Sequence, residues 1–193
     1  MLEILKNPNV KKYCYDYKAI KVSLSKYNIE LSGLVFDLLA KLIGFDPWQA
    51  GGSISIAMVP IFIMSYYYGA LGGICTGFII GSVQMVWGNP AGIIGVILDY
   101  VLPYTSIGLA GLFINKKYNN TKLVKYILFT LSIIIVGVLR IFWHTLSGVV
   151  LYETAWWASL VYNAPYVLIS ILISAVLTIL IIDRLDNLPK KRD

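Results

Sequence analysis

The sequence predicts an all-α membrane protein, a bundle of six transmembrane helices with both termini in the cytoplasm. Three observations lead there. Of the 193 residues, 58% are hydrophobic and only 13% charged, with a mean hydropathy of +0.74. A soluble domain of this size needs a more polar surface. The apolar residues gather in long runs, and about 20 such residues cross roughly 30 Å of hydrocarbon. The cations are segregated as well. Lys6, Lys11, Lys12, Lys18, Lys21 and Lys26 precede the first run; Lys116, Lys117, Lys122 and Lys125 share one segment; Arg184, Lys190, Lys191 and Arg192 close the chain. Clusters of this kind mark the cytoplasmic side of multi-pass proteins, so the 116–125 loop and both ends lie inside and the number of spans is even.

Residues 1–28 form a polar, basic arm, Tyr- and Lys-rich and without the apolar centre of a signal peptide; a surface helix or a disordered segment fits it. The membrane domain runs from 29 to 185, and 186–193 is a basic cytoplasmic tail. The first span, 29–45, is interrupted by Asp37 and Lys41, spaced to pair on one helical face. The second, 54–68, ends in Tyr66, Tyr67 and Tyr68, residues suited to a membrane–water interface. The third, 70–87, carries Gly73, Gly77 and Gly81 at four-residue spacing, which keeps one face bare and lets a neighbouring helix approach closely. The remaining spans are expected at 91–115, 123–150 and 157–183. This topology places the 46–53, 88–90 and 151–157 loops outside, where aromatic and acidic residues collect. Cys14 and Cys75 sit in unlike settings, without metal-ligand spacing or a prospect of pairing.

Ionisable side chains within spans are expensive and mark function by default. Asp99 lies in the fourth span, Arg140 and His144 share a face of the fifth, and Asn163 lies in the sixth near Trp156, Trp157 and Tyr166. Asp99, His144 and Asn163 come from three helices yet all fall toward the outer half, as side chains of a pocket would. Each also has a plainer reading. Arg140 would hold the bundle together by pairing with Asp99 or helix-end carbonyls, His144 would be a satisfied bundle histidine, and the aromatics would form an interfacial belt. Taken together, a carboxylate, an imidazole, an amide and large aromatics suit an aromatic, cationic ligand with hydrogen-bonding ring nitrogens. The chain lacks HExxH, GxSxG, P-loop and paired-cysteine motifs and has a single histidine. The expectation is therefore a non-enzymatic protein with no cofactor, no metal and no ATPase activity of its own.

Four segments resemble a known family. GGSISIAMVPIFIMSYYYGALGGICTG (51–77) is similar to the passage from the first outer loop into spans two and three of thiamine-specific S components of energy-coupling factor (ECF) transporters. LDYVLPYTSIGLAGLF (98–113) resembles their fourth span, and RIFWHTLSGVVLY (140–152) with WASLVYNAPY (157–166) their fifth and sixth. The resemblance implies a six-helix protein that captures thiamine under the outer loop joining spans one and two. It also implies partners, a membrane scaffold subunit and two ATPase subunits. Carried onto this chain, it assigns substrate binding to Trp48, Asp99, Tyr100, His144, Tyr152 and Asn163. Three departures stand out: Asp99 replaces the usual Glu, Tyr152 a Trp, and Ala158 a Tyr for which Trp157 is the candidate substitute. The alanine pattern for scaffold docking in span one is reduced to Ala40 and Gly44. The expected function is high-affinity thiamine capture in the cell membrane for ATP-driven uptake. Capture of a thiamine precursor or another vitamin, or a solitary proton-coupled permease using Asp99, Arg140 and His144, are the alternatives.

Overall fold

The computed structural model describes residues 52, 54–88, 90–113 and 121–187. The expected first span with Asp37, Ala40, Lys41 and Gly44, together with Trp48, the 1–28 arm and residues 116–120, lies outside them. The described chain is all-helical and holds four apolar helices long enough to cross a membrane: α1 (Met58–Trp87), α2 (Gly92–Phe113), α3 (Lys122–Tyr152) and α4 (Trp156–Asp186).

Local chemistry sets the breaks. Within α1, Gly69 takes φ 76° and ψ −168°, which a side chain would oppose, and the helix divides into arms 58–68 and 70–87. In an unbroken helix residues 65 and 73 would stand about 12 Å apart. Here a Cβ on Gly73 would collide with the Ser65 hydroxyl, so the two arms lie side by side. This is the boundary expected between the second and third spans. Gly92, at φ 68°, opens α2. At the end of α3, Glu153 turns left-handed (φ 53°, ψ 26°), and Thr154 donates to the Gly148 carbonyl through its N–H (3.3 Å) and its hydroxyl (2.7 Å). Those bonds satisfy a carbonyl at the helix end and reverse the chain in three residues. The 151–157 loop is thus tighter than expected, with Tyr152 and Trp156 already helical.

α2 is the irregular helix. Its segment Val96–Val101 is a π-turn, in which the Leu102 N–H reaches the Ile97 carbonyl five residues back. Pro103, two residues past the turn, has no N–H for the carbonyl four residues earlier, that of Asp99, and its ring crowds that carbonyl. Widening the turn relieves both defects. Such single π-turns concentrate at functional sites.

The glycine face of the 70–87 arm carries α2. Added Cβ atoms at Gly73, Gly77 and Gly81 would strike the backbones of Gly108, Tyr104 and Tyr100 in turn. The core between the helices is Phe62, Ile80, Ile107, Phe129, Ile133, Val136 and Val167, all nearly inaccessible. The outward faces are equally apolar, with Leu71 75%, Val161 71% and Leu172 67% exposed. Large aliphatic side chains on both the inside and the outside belong to a multi-pass membrane protein, whose outer faces meet lipid rather than water.

Candidate functional site

The bundle has two polar ends. At one, the start of α2 and the end of α3 lie together, with Gly95 facing Leu151. At the other, the Gly69 bend packs on Gly111, Tyr67 donates to Asp186 (2.8 Å) and Tyr126 donates to Asp183 (3.4 Å). Asp99 is seven residues into α2, His144 eight residues from the end of α3 and Asn163 seven residues into α4. At 1.5 Å per residue, all three stand about 10–12 Å below the same end. That shared depth follows from the lengths of the helices and their short connections.

The three side chains meet. His144 Nδ1 lies 3.4 Å from Asp99 Oδ1, with side-chain exposures of 11% for the histidine and 26% for the aspartate. On the far edge of the ring, Arg140 Nε donates to His144 Nε2 at 3.4 Å. A ring with its proton on Nδ1 satisfies both neighbours, donating to the carboxylate and accepting from the guanidinium. Asn163 Nδ2 donates to the His144 carbonyl (3.3 Å), the Ser159 carbonyl (2.9 Å) and the Ser159 hydroxyl (3.2 Å). Its Oδ1 accepts from the Tyr166 hydroxyl, and the Tyr166 ring meets that of His144 edge-on at 6.2 Å. Ser159 in turn donates to the Thr145 carbonyl at 2.9 Å, beside Gly148, whose missing Cβ leaves room for the serine hydroxyl.

Arg140 is buried at 4% exposure and finds its principal support in Tyr104 of α2. The guanidinium carbon stands 4.8 Å from the centre of that ring, and Nη2 donates to the phenol oxygen at 3.5 Å. Cation–π attraction of this type is strongest when desolvated, at about 2 kcal/mol. Arg140 and Asp99 make no direct ion pair. Tyr100, next to Asp99 in the π-turn, extends its phenol over the backbone of Gly88.

The expected residues therefore divide. Asp99, His144 and Asn163 converge, and Tyr100 adjoins them through the π-turn. Tyr152 and Trp157, at 62% and 73% exposure, stand at the rim, and Trp156 leans on Phe142 with ring centres 5.9 Å apart. Trp48 lies outside the described residues. Ser159 and Tyr104 join the cluster without having been singled out. Ser159 is detectable from its four-residue spacing to Asn163, whereas Tyr104 reaches Arg140 from another helix and leaves no local signal. Among the described residues, no group of three His, Cys, Asp or Glu side chains is placed to hold a metal.

Comparison with known proteins gives one consistent picture. The family described as thiamine transporter protein (Thia_YuaJ) matches residues 32–189. The chain is also 33% identical over 163 residues to the thiamine transporter ThiT of Bacillus subtilis (strain 168), covering 78% of this chain and 84% of that protein.

Proposed function

The chain belongs to the thiamine transporter protein family, a family of membrane transporters rather than enzymes, and from that premise we propose that it is the thiamine-binding S component of an ECF-type importer. It captures the vitamin at the outer face and depends on a scaffold subunit and two ATPase subunits for transport. The membrane domain completes six spans with both termini inside, the first span supplying Ala40 and Gly44 toward the scaffold.

One observation carries the reading: Asp99, His144 and Asn163 meet at a common depth of about 10–12 Å below one end of the bundle. Thiamine is a permanent thiazolium cation joined to an aminopyrimidine. Asp99 offers the carboxylate for the cation, and Tyr100 and His144 offer hydrogen bonds and ring faces for the heterocycle. Asn163 both fixes His144 and lines the site. Tyr152 and Trp157 at the rim, with Trp48 from the first outer loop, cover the ligand with aromatic surface. Burying an aromatic cation under aromatic rings near one carboxylate offsets the cost of stripping its water.

The test is intrinsic tryptophan fluorescence of the purified, detergent-solubilised protein titrated with thiamine. Saturable quenching at submicromolar ligand supports the proposal. Quenching by the pyrimidine fragment or another vitamin, with none by thiamine, would keep the fold and replace the ligand. The Arg140–His144–Asp99 chain favours a second reading, a proton-coupled permease acting alone. Proton-gradient-driven uptake in vesicles containing only this chain would establish that reading in place of the first.

A further inference from the structure

Gly88 follows the last residue of α1 and resembles an ordinary helix-terminating glycine. Such glycines are selected because the chain there turns left-handed, a conformation that costs other residues strain. Gly88 does not do this. Its φ of −73° and ψ of 175° are open to any residue, and its N–H simply closes the last turn on the Gln84 carbonyl at 3.0 Å. Backbone conformation gives no reason for glycine here.

Space does. A Cβ built on Gly88 would lie 2.5 Å from Tyr100 Cζ and 2.7 Å from Cε1, and closer still to the phenol oxygen. Two helical turns earlier on α1, a Cβ at Gly81 would lie 2.6 Å from the Tyr100 carbonyl oxygen and 3.2 Å from its carbon. Both ends of Tyr100 thus rest on side-chain-free positions, the backbone on Gly81 within α1 and the phenol on Gly88 just past its end. The ring lies along α1 toward the turn, and the residue it follows in the π-turn is Asp99.

We propose that Gly88 is a positioning residue for ligand binding, which sets where the Tyr100 hydroxyl stands relative to the Asp99 carboxylate. The outer turn is thereby part of the site's construction without touching the ligand. A methyl group at position 88 would drive the phenol off α1 and displace it within the site. The proposal deepens the reading above and rests on Tyr100 contacting thiamine.

The experiment compares thiamine affinity in the parent, Gly88→Ala, Tyr100→Leu and the double variant, with each ligand-free melting temperature recorded. Leucine removes the phenol that would meet the new methyl. Gly88→Ala is expected to weaken binding about tenfold, the usual scale of a forced side-chain shift. Its melting temperature should stay close to the parent's. In the Tyr100→Leu background the same substitution should change affinity less than about twofold, because its target is gone. Parent-like affinity in Gly88→Ala, or the same tenfold loss in both backgrounds, overturns the proposal. A parent that fails to bind thiamine instead overturns the functional reading. A second measurement needs no ligand: in ¹³C-tyrosine-labelled protein, the ring resonance that Tyr100→Leu deletes should move in Gly88→Ala. An unmoved resonance also overturns the proposal.

Discussion

Replacing Asn163 with alanine is the most informative perturbation of the polar cluster, because this amide serves two helices at once. Its Nδ2 holds the His144 carbonyl across the α3–α4 boundary at 3.3 Å and two Ser159 atoms on its own helix. Its Oδ1 accepts the Tyr166 hydroxyl. The residue is 6% exposed, so water does not substitute freely. An interhelical hydrogen bond within a membrane bundle contributes about 0.6–1.7 kcal/mol. Depriving a buried hydroxyl of an acceptor costs about 1–3 kcal/mol. Together these give about 3 kcal/mol of destabilisation, which at this chain length lowers the apparent Tm by roughly 6–12 °C. Thiamine should raise the parent's Tm by linkage and raise the variant's much less. The assay is thermal unfolding in detergent with and without ligand. Ser159→Ala, which removes the 2.9 Å bond to the Thr145 carbonyl and one Asn163 contact, should cost about 1 kcal/mol. The double variant should fall short of the sum, because the two side chains share a bond. An Asn163→Ala protein that melts within about 1 °C of the parent and responds equally to thiamine would refute the reasoning.

Four further outcomes are expected. Asp99→Asn and His144→Ala should each weaken thiamine binding by at least about tenfold, or 1.4 kcal/mol; parent-like titrations of both would dissolve the site. Gly77→Leu should destabilise by about 1–3 kcal/mol in thermal unfolding, since its Cβ would strike the Tyr104 carbonyl. Gly92→Ala, at φ 68° with nothing within 4 Å, should cost only the conformational strain, about 1 kcal/mol. Tyr67→Phe removes an exposed hydrogen bond to Asp186 at the opposite end. It should cost no more than about 1 kcal/mol and leave thiamine affinity unchanged.

Regular features were legible in the chain and irregular ones were not. The expected 123–150 and 157–183 spans correspond to α3 and α4 because apolar length alone delimits a bilayer-crossing helix. The break between the second and third spans was readable at Gly69, the residue that follows three tyrosines. The bare glycine face was readable too, although its partner turned out to be α2 of the same chain. The π-turn was not. Pro103 signals a lost hydrogen bond at Asp99, but a helix can answer that loss by kinking or by widening. Here α2 is held against Gly73, Gly77 and Gly81, packing that no local sequence pattern encodes. The convergence of Asp99, His144 and Asn163 could be anticipated because three counts from three helix ends agree. The Ser159 hydroxyl and the Tyr104 ring could not be assigned that way, since their roles depend on rotation about helix axes.

The partner chosen by Arg140 shapes what the cluster can do. A guanidinium buried in an apolar bundle is costly unless it is well supported, and the obvious support is a carboxylate. Asp99 is the carboxylate nearest in the cluster, yet the two do not pair directly. The guanidinium instead lies over Tyr104, and the His144 ring stands between it and Asp99. A bidentate Arg–Asp pair would be an electrically closed unit with little left to attract a cation. Interposing an imidazole leaves Asp99 as a partly exposed carboxylate, at 26% side-chain exposure, held by His144 rather than closed on a guanidinium. In the proposed reading that carboxylate meets the thiazolium. The two site substitutions then differ in kind. Asp99→Asn removes the charge and should weaken cationic thiamine far more than a neutral analogue of the same shape. His144→Ala removes the spacer, frees Arg140 to approach Asp99, and should weaken both. Equal losses for charged and neutral ligands in Asp99→Asn would show that the carboxylate acts only as a hydrogen-bond acceptor.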